Sequence, residues 1–131
     1  MTAAQAQADA ASTYRQAAFE NAPPLKILRL LYQGALRFLN QALEADAENE
    51  AAFYNDRVSR ADAIVCELRC SLDHQAVPEL CNDLERLYLF AESRLQDALI
   101  DRDKDAIQDT MRVLETLLDG WRELEVQSEA A

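Results

Sequence analysis

Apolar and polar positions recur along this chain with helical spacing, most clearly from Leu25 to Leu43, LKILRLLYQGALRFLNQAL. On a wheel at about 100° per residue, Leu25, Ile27, Leu28, Leu31, Tyr32, Ala35, Leu36, Phe38, Leu39, Ala42 and Leu43 fill one half. Lys26, Arg29, Gln33, Arg37, Asn40, Gln41 and Glu44 fill the other, and only Leu30 breaks the partition. A helix touching one neighbour needs an apolar stripe of roughly 100°, so this one carries more apolar surface than a single contact uses. Two neighbours within the chain would absorb the surplus, and so would a second chain lying in a groove. Periodicity leaves both open.

The remaining elements follow in order. Residues 1–13 are Ala, Gln, Ser and Thr without an apolar period and are expected to fray. Tyr14 and Phe19 are two aromatics in an otherwise polar lead-in, which predicts an arm that packs back on the body. Pro23-Pro24 ends the arm and opens the first helix, because proline at the first helical position loses no hydrogen bond. An acidic connector from Asp46 to Glu50 offers Asn49 as an N-cap. Tyr54, Val58, Ala61, Val65, Leu68 and Leu72 then make a heptad seam, widened by Phe53 and Ile64. The pattern breaks from Asp73 to Val77, and Pro78 reopens a helix with the stripe Leu80, Leu84, Leu87, Tyr88, Ala91, Leu95, Ala98 and Leu99. Leu89 falls opposite that stripe and Phe90 at its edge, which is either scatter or part of a second binding surface.

After a turn at Asp101-Arg102-Asp103, with Asp103 as N-cap, the last helix carries Ile107, Met111, Leu114, Leu118 and Trp121, flanked by Val113, Leu117 and Leu124. Gly120 sits inside it, where glycine costs about 1 kcal/mol relative to alanine and often permits a close approach. The pattern predicts an all-α protein, an antiparallel up-down four-helix bundle with a partly ordered N-terminal arm. Its parts are a flexible arm over 1–22, the bundle over 23–126 and a frayed tail over 127–131.

Composition agrees: the 131 residues contain only 2 Gly and 3 Pro. No apolar run approaches the roughly 20 residues of a membrane span, and the N-terminus lacks the basic start and apolar core of a secretory signal. A cytoplasmic protein with no membrane insertion is expected. The net charge of −11 argues against nucleic acid, which binds through neutralised phosphates. That charge is uneven: residues 1–43 sum to +2, residues 44–131 to −13, and no acid lies between Asn21 and Leu43. The polar side of the first helix is a basic strip expected to meet the acidic helices beside it.

Candidate chemistry is sparse. No phosphate loop, HExxH or GxSxG is present, and the lone histidine, His74, has no Glu three residues before it for a di-iron bundle. Cys66, Cys70 and His74 are spaced four apart, with Cys81 seven further on. A helix running through His74 would put the first three on one face, where they and Cys81 would suit zinc. Cysteine also serves as a small core residue, and an odd count of three in a chain with its own core implies no disulfide framework. No catalytic residue, cofactor or metal is assigned, and an enzyme is not expected.

The run Thr13-Tyr14-Arg15-Gln16, then Asn21-Ala22-Pro23-Pro24-Leu25, then Leu31-Tyr32-Gln33-Gly34-Ala35-Leu36-Arg37-Phe38-Leu39 resembles the start of the FliS family of flagellin export chaperones. The likeness continues through Leu68-Arg69-Cys70-Ser71-Leu72-Asp73 and Leu87-Tyr88-Leu89-Phe90, then Arg94-Leu95 and Ala98, to the stretch from Leu114 to Trp121. Gln33 stands where that family usually has an acid, and Leu89-Phe90 replaces a more polar-aromatic pair. The resemblance implies a cytosolic chaperone that holds the C-terminal segment of flagellin, which becomes partly helical as it wraps around the surface. Such holding blocks premature polymerisation and keeps the subunit competent for the flagellar type III export apparatus. It also implies that the arm, with Tyr14 at the matching position, covers part of the groove.

Expected partner contacts are Tyr14, Phe19, Leu28, Leu31, Tyr32, Ala35, Phe38, Leu89 and Phe90. Tyr32 has a second reading, as a buried tyrosine whose hydroxyl reaches a partner at the rim. Tyr14 and Phe19 are read either as a displaceable plug or as permanent packing. Other readings of the chain remain open: a chaperone or adaptor for another secreted protein or for an anti-sigma factor, a homodimer pairing its grooves, and a small zinc-binding bundle.

Overall fold

In the computed structural model the described residues are 25–130, with side chains through residue 128. They form four helices: α1 Leu25–Glu44, α2 Ala51–Cys70, α3 Pro78–Ile100 and α4 Lys104–Ala130. Each packs on the next, and α4 closes back on α1. Arg29 near the start of α1 pairs with Glu125 near the end of α4, and Tyr54 near the start of α2 bonds to Ala98 near the end of α3. Neighbours therefore run antiparallel, as short connectors between long helices require.

The core follows the predicted stripes. Leu25, Leu28, Tyr32, Ala35, Leu39 and Ala42 of α1 meet Tyr54, Val58, Ala61, Val65 and Leu68 of α2. Leu84, Tyr88, Ala91, Leu95 and Ala98 of α3 and Ile107, Leu114, Leu118, Trp121 and Leu124 of α4 complete it. Thr110 is buried among them, a position the apolar pattern passes over, and its hydroxyl is satisfied by the Ala106 carbonyl at 3.0 Å.

The connectors hold one departure from expectation. Glu50, not Asn49, occupies the cap position of α2, and no side chain bonds the helix start. Asp46 organises that turn instead. Its carboxylate accepts the Glu48 and Asn49 backbone N–H groups and the Asn49 amide, and these bonds hold its pKa below the usual carboxylate range. Pro78 opens α3 as predicted, and Asp103 accepts the Asp105 N–H at 3.0 Å as predicted. Lys104 reaches back to the Leu43 and Ala45 carbonyls, tying the start of α4 to the end of α1. A frayed tail is expected over 127–131, whereas α4 is helical through Ala130.

Candidate partner-binding site

Three of the residues expected at the surface lie in the core. Leu28, Tyr32 and Ala35 are 0–1% exposed, because α1 spends the centre of its apolar half on α2, α4 and the diagonal α3. The Tyr32 hydroxyl hydrogen-bonds the Tyr88 hydroxyl of α3, and the two rings lie 6.5 Å apart. Burial pushes the Tyr32 pKa up to about 12, while its hydrogen bonds with Tyr88 and Trp121 act in the opposite direction. This is an internal polar network, and in this arrangement a partner has no access to it. Tyr14 and Phe19 fall outside the described residues.

The edge of that apolar half is different. Ile27 is 45% exposed there, Leu31 and Phe38 are half-buried on the α2 side of α1, and Leu30, on the polar side, is 50% exposed. Phe38 lies under two guanidinium groups of α2, Arg57 at 5.4 Å and Arg60 at 6.0 Å. Arg57 also stacks on Phe53, which is 42% exposed, at 4.9 Å. Both arginines pair with the same carboxylate, Asp56. Gln41 takes a further bond from Arg57 at 3.2 Å. Gly34 faces Ile64 across the same groove.

Leu89 and Phe90 are both exposed, but they do not form one surface. Adjacent helical residues diverge by about 100°. Gln96, two turns beyond Leu89, reaches Asp62 of α2, whereas Arg94, one turn beyond Phe90, pairs with Asp109 of α4. Leu89 therefore flanks α2 and Phe90 flanks α4. On the α4 side an apolar cleft of about 140 Å³ is lined by Leu80, Leu84, Leu117, Gly120, Trp121 and Leu124, with Thr116 at its edge. Between α1 and α4 a wider recess of about 410 Å³ mixes Arg37, Arg122, Glu115 and Asp119 with Gln33, Asn40 and the apolar Leu36, Met111 and Leu118.

The basic strip behaves partly as its charge predicts. Arg29 forks onto Glu125 at 2.8 and 3.4 Å, while Arg37 borders the recess that Glu115 and Asp119 share. At the α2–α3 seam, Arg69 clamps Glu92 at 2.6 and 3.2 Å. Nearby, burial raises the Asp62 pKa, helped by the Glu92 charge and opposed by Arg69.

The cysteines do not assemble a metal site. α2 ends at Cys70, so His74 leaves the face that a longer helix would have given it. Cys81 is buried, and its thiol donates to the Asp73 carbonyl at 3.2 Å. Among the described residues no group of three or more His, Cys, Asp or Glu side chains could hold a metal ion. A hydrogen bond with Cys70 raises the Cys66 pKa, and Arg69 opposes that shift.

An apolar surplus thus remains on the outside of the four-helix bundle. Comparison with known proteins supplies the family. The chain matches the family model described as flagellar protein FliS over residues 6–128. The chain belongs to the FliS family. A flagellar secretion chaperone FliS from Campylobacter jejuni is 33% identical over 118 residues, covering 87% of this chain and 88% of its own. The flagellar secretion chaperone FliSB of Pseudomonas aeruginosa is 30% identical over 112 residues, covering 82% and 89%. The FliS of Bacillus subtilis is 25% identical over 118 residues, covering 90% and 86%. Membership in FliS places the protein among chaperones of flagellar secretion, in keeping with its helical bundle. No helix among the described residues is long and apolar enough to cross a membrane.

Sequence reasoning missed the arginine–aromatic stack. Its α2 half, Phe53 and Arg57 four apart beside the Asp56–Arg60 pair, was legible at helical spacing. Its meeting with Phe38 of α1 was not, since nothing in the local pattern states which helices adjoin.

Proposed function

We propose that this FliS protein works in the cytosol, holding the C-terminal segment of newly made flagellin, preventing its premature polymerisation and keeping it competent for flagellar type III secretion. The observation that carries this reading is the apolar surface left outside a complete core. Ile27 and Leu30 are exposed on α1 and Leu87 and Phe90 on α3, and a separate apolar cleft opens between α3 and α4. A segment that is unfolded alone and gains helix on binding takes its affinity from such helix-lined grooves. Covering the strips would also suppress self-association through exposed apolar patches.

Tyr14 and Phe19 enter the proposal as a displaceable cover, on the strength of two aromatics in a polar lead-in. Deleting residues 1–20 then raises the peptide on-rate or affinity, and unchanged binding would remove the cover from the proposal.

The test of the main reading is calorimetric titration with a C-terminal flagellin peptide of about 40 residues from the same organism, where coupled folding onto an apolar surface gives saturable 1:1 binding and a large negative heat-capacity change. Absence of binding, with and without the arm, would refute it.

A further inference from the structure

We infer that Cys66 and Cys70 are a reversible oxidation site: a peroxide converts the two thiols to a disulfide within α2, and closing it displaces the last turn of that helix from α3. The two residues lie four positions apart on one face of α2, and Cys70 is its last helical residue. Cys70 is exposed and Cys66 half-buried beside it. Cα atoms so spaced are about 6 Å apart, inside the range of about 4.4–6.8 Å that a disulfide spans. Their Cβ atoms, at about 5–6 Å, exceed the roughly 4 Å a disulfide prefers, so the bond forms only if the turn gives. The end of a helix allows that. Beyond Cys70 the chain leaves α2, and the Ser71 and Leu72 N–H groups tie it back to the Glu67 and Arg69 carbonyls. A disulfide that deforms its own helix is easily reduced again, which suits a transient switch rather than a permanent staple.

The two thiols divide the chemistry. A hydrogen bond with Cys70 holds the proton on Cys66, so the exposed Cys70 is the thiol left to ionise and attack. Its thiolate displaces one oxygen of the peroxide: an S–O bond forms, the O–O bond breaks, and the departing oxygen leaves as water after taking a proton from solvent. Cys70 is thereby oxidised by two electrons to a sulfenic acid. The Cys66 sulfur then attacks Cys70, the S–S bond forms, and the hydroxyl departs as a second water with the Cys66 proton. Cys81 takes no part, because it is buried with its thiol on the Asp73 carbonyl at 3.2 Å. Arg69 ties this pair to the α2/α3 seam. Its guanidinium reaches Cys66 Sγ at 3.8 Å while it clamps Glu92 of α3 at 2.6 and 3.2 Å. Drawing Cys70 toward Cys66 turns the backbone that carries Arg69, so the clamp is the contact that closure loosens.

The experiment treats the full chain with hydrogen peroxide, as wild type, Cys66→Ser and Cys70→Ser. The readouts are non-reducing gels, tryptic mass spectra, and thermal scans with and without dithiothreitol. Trypsin cuts after Arg69, between the two cysteines, so the disulfide holds two peptides together at about 2 Da below the summed mass of the free thiols. The expected result is that linked pair in a wild type that still runs as a single chain, undone by dithiothreitol. Cys66→Ser should instead give a sulfenic acid at Cys70 that dimedone traps, and Cys70→Ser should keep its thiols. Oxidised wild type should melt about 5 °C below the reduced form and return to it on reduction. Cys70 ending as a sulfinic acid, or in a bond between two chains, at the same peroxide dose overturns the pairing. An intrachain disulfide that leaves the melting temperature unchanged overturns the displacement of α2 from α3. Neither outcome bears on the flagellin reading.

Discussion

Two leucines two positions apart on α1 should behave in opposite ways. Leu28 is 1% exposed inside the core cluster, whereas Leu30 is 50% exposed on the outer surface of α1. Leu28→Ala loses the transfer free energy of the deleted atoms and leaves a cavity among rigid neighbours, for a cost of about 3 kcal/mol. In a chain of this size that lowers the melting temperature by about 10 °C. Leu30→Ala deletes atoms that are already half in water and gains slightly in helix propensity, so its stability cost stays below about 1 kcal/mol.

Binding reverses the order. Covering the exposed half of Leu30 contributes about 1 kcal/mol, so its truncation weakens a flagellin C-terminal peptide by about fivefold. Leu28→Ala leaves peptide affinity unchanged wherever the protein is folded. Urea unfolding followed by far-ultraviolet circular dichroism reads the first effect, and peptide titration at low denaturant reads the second. Equal midpoint shifts for the two variants, with peptide affinity indifferent to Leu30, would refute the division of α1 into core and binding surface.

Other outcomes follow from buried polar contacts. Tyr54 donates to the Ala98 carbonyl at 2.8 Å, near the C-terminus of α3 where carbonyls lack intrahelical partners, so Tyr54→Phe should lower stability by about 1–2 kcal/mol at constant urea m-value. Tyr32 titrates at about 12 in the folded state against about 10 unfolded, which means the fold favours its neutral form. Its contribution, about 3 kcal/mol, is complete below about pH 10 and is lost as pH rises toward about 12; urea midpoints across that window should fall, and less steeply in Tyr32→Phe. Lys104→Met removes the two bonds to the Leu43 and Ala45 carbonyls and should cost about 1–2 kcal/mol, read as a lower urea midpoint.

Much of this protein was legible in local pattern. The stripes of α1 to α4, the proline that opens α3 and the Asp103 cap each depend on residues within a turn or two of one another, so spacing and side-chain chemistry suffice to read them. Asn49 was misread because both it and Asp46 have capping chemistry, and which one folds the connector depends on how the chain leaves α1. The expected contacts diverged for a related reason. Leu28, Tyr32 and Ala35 share an apolar half-circle with Ile27, Leu31 and Phe38, and a wheel cannot say where the neighbours' coverage stops.

Sequence alone determined the class of fold, the four helices and the family to which the chain belongs, because amphipathic period, helix breakers and the LYQGALRFL segment are properties of contiguous residues. Tertiary structure decided which apolar residues remain outside. The seating of α2 and α4 against α1 buries Tyr32 beside Tyr88 and leaves Ile27 and Leu30 in water. It also sends Leu89 and Phe90 to opposite seams of α3 and brings Phe38 under Arg57 and Arg60 across two helices. Those are matters of packing between distant segments, settled by the volume the side chains must fill together rather than by the order in which they are joined.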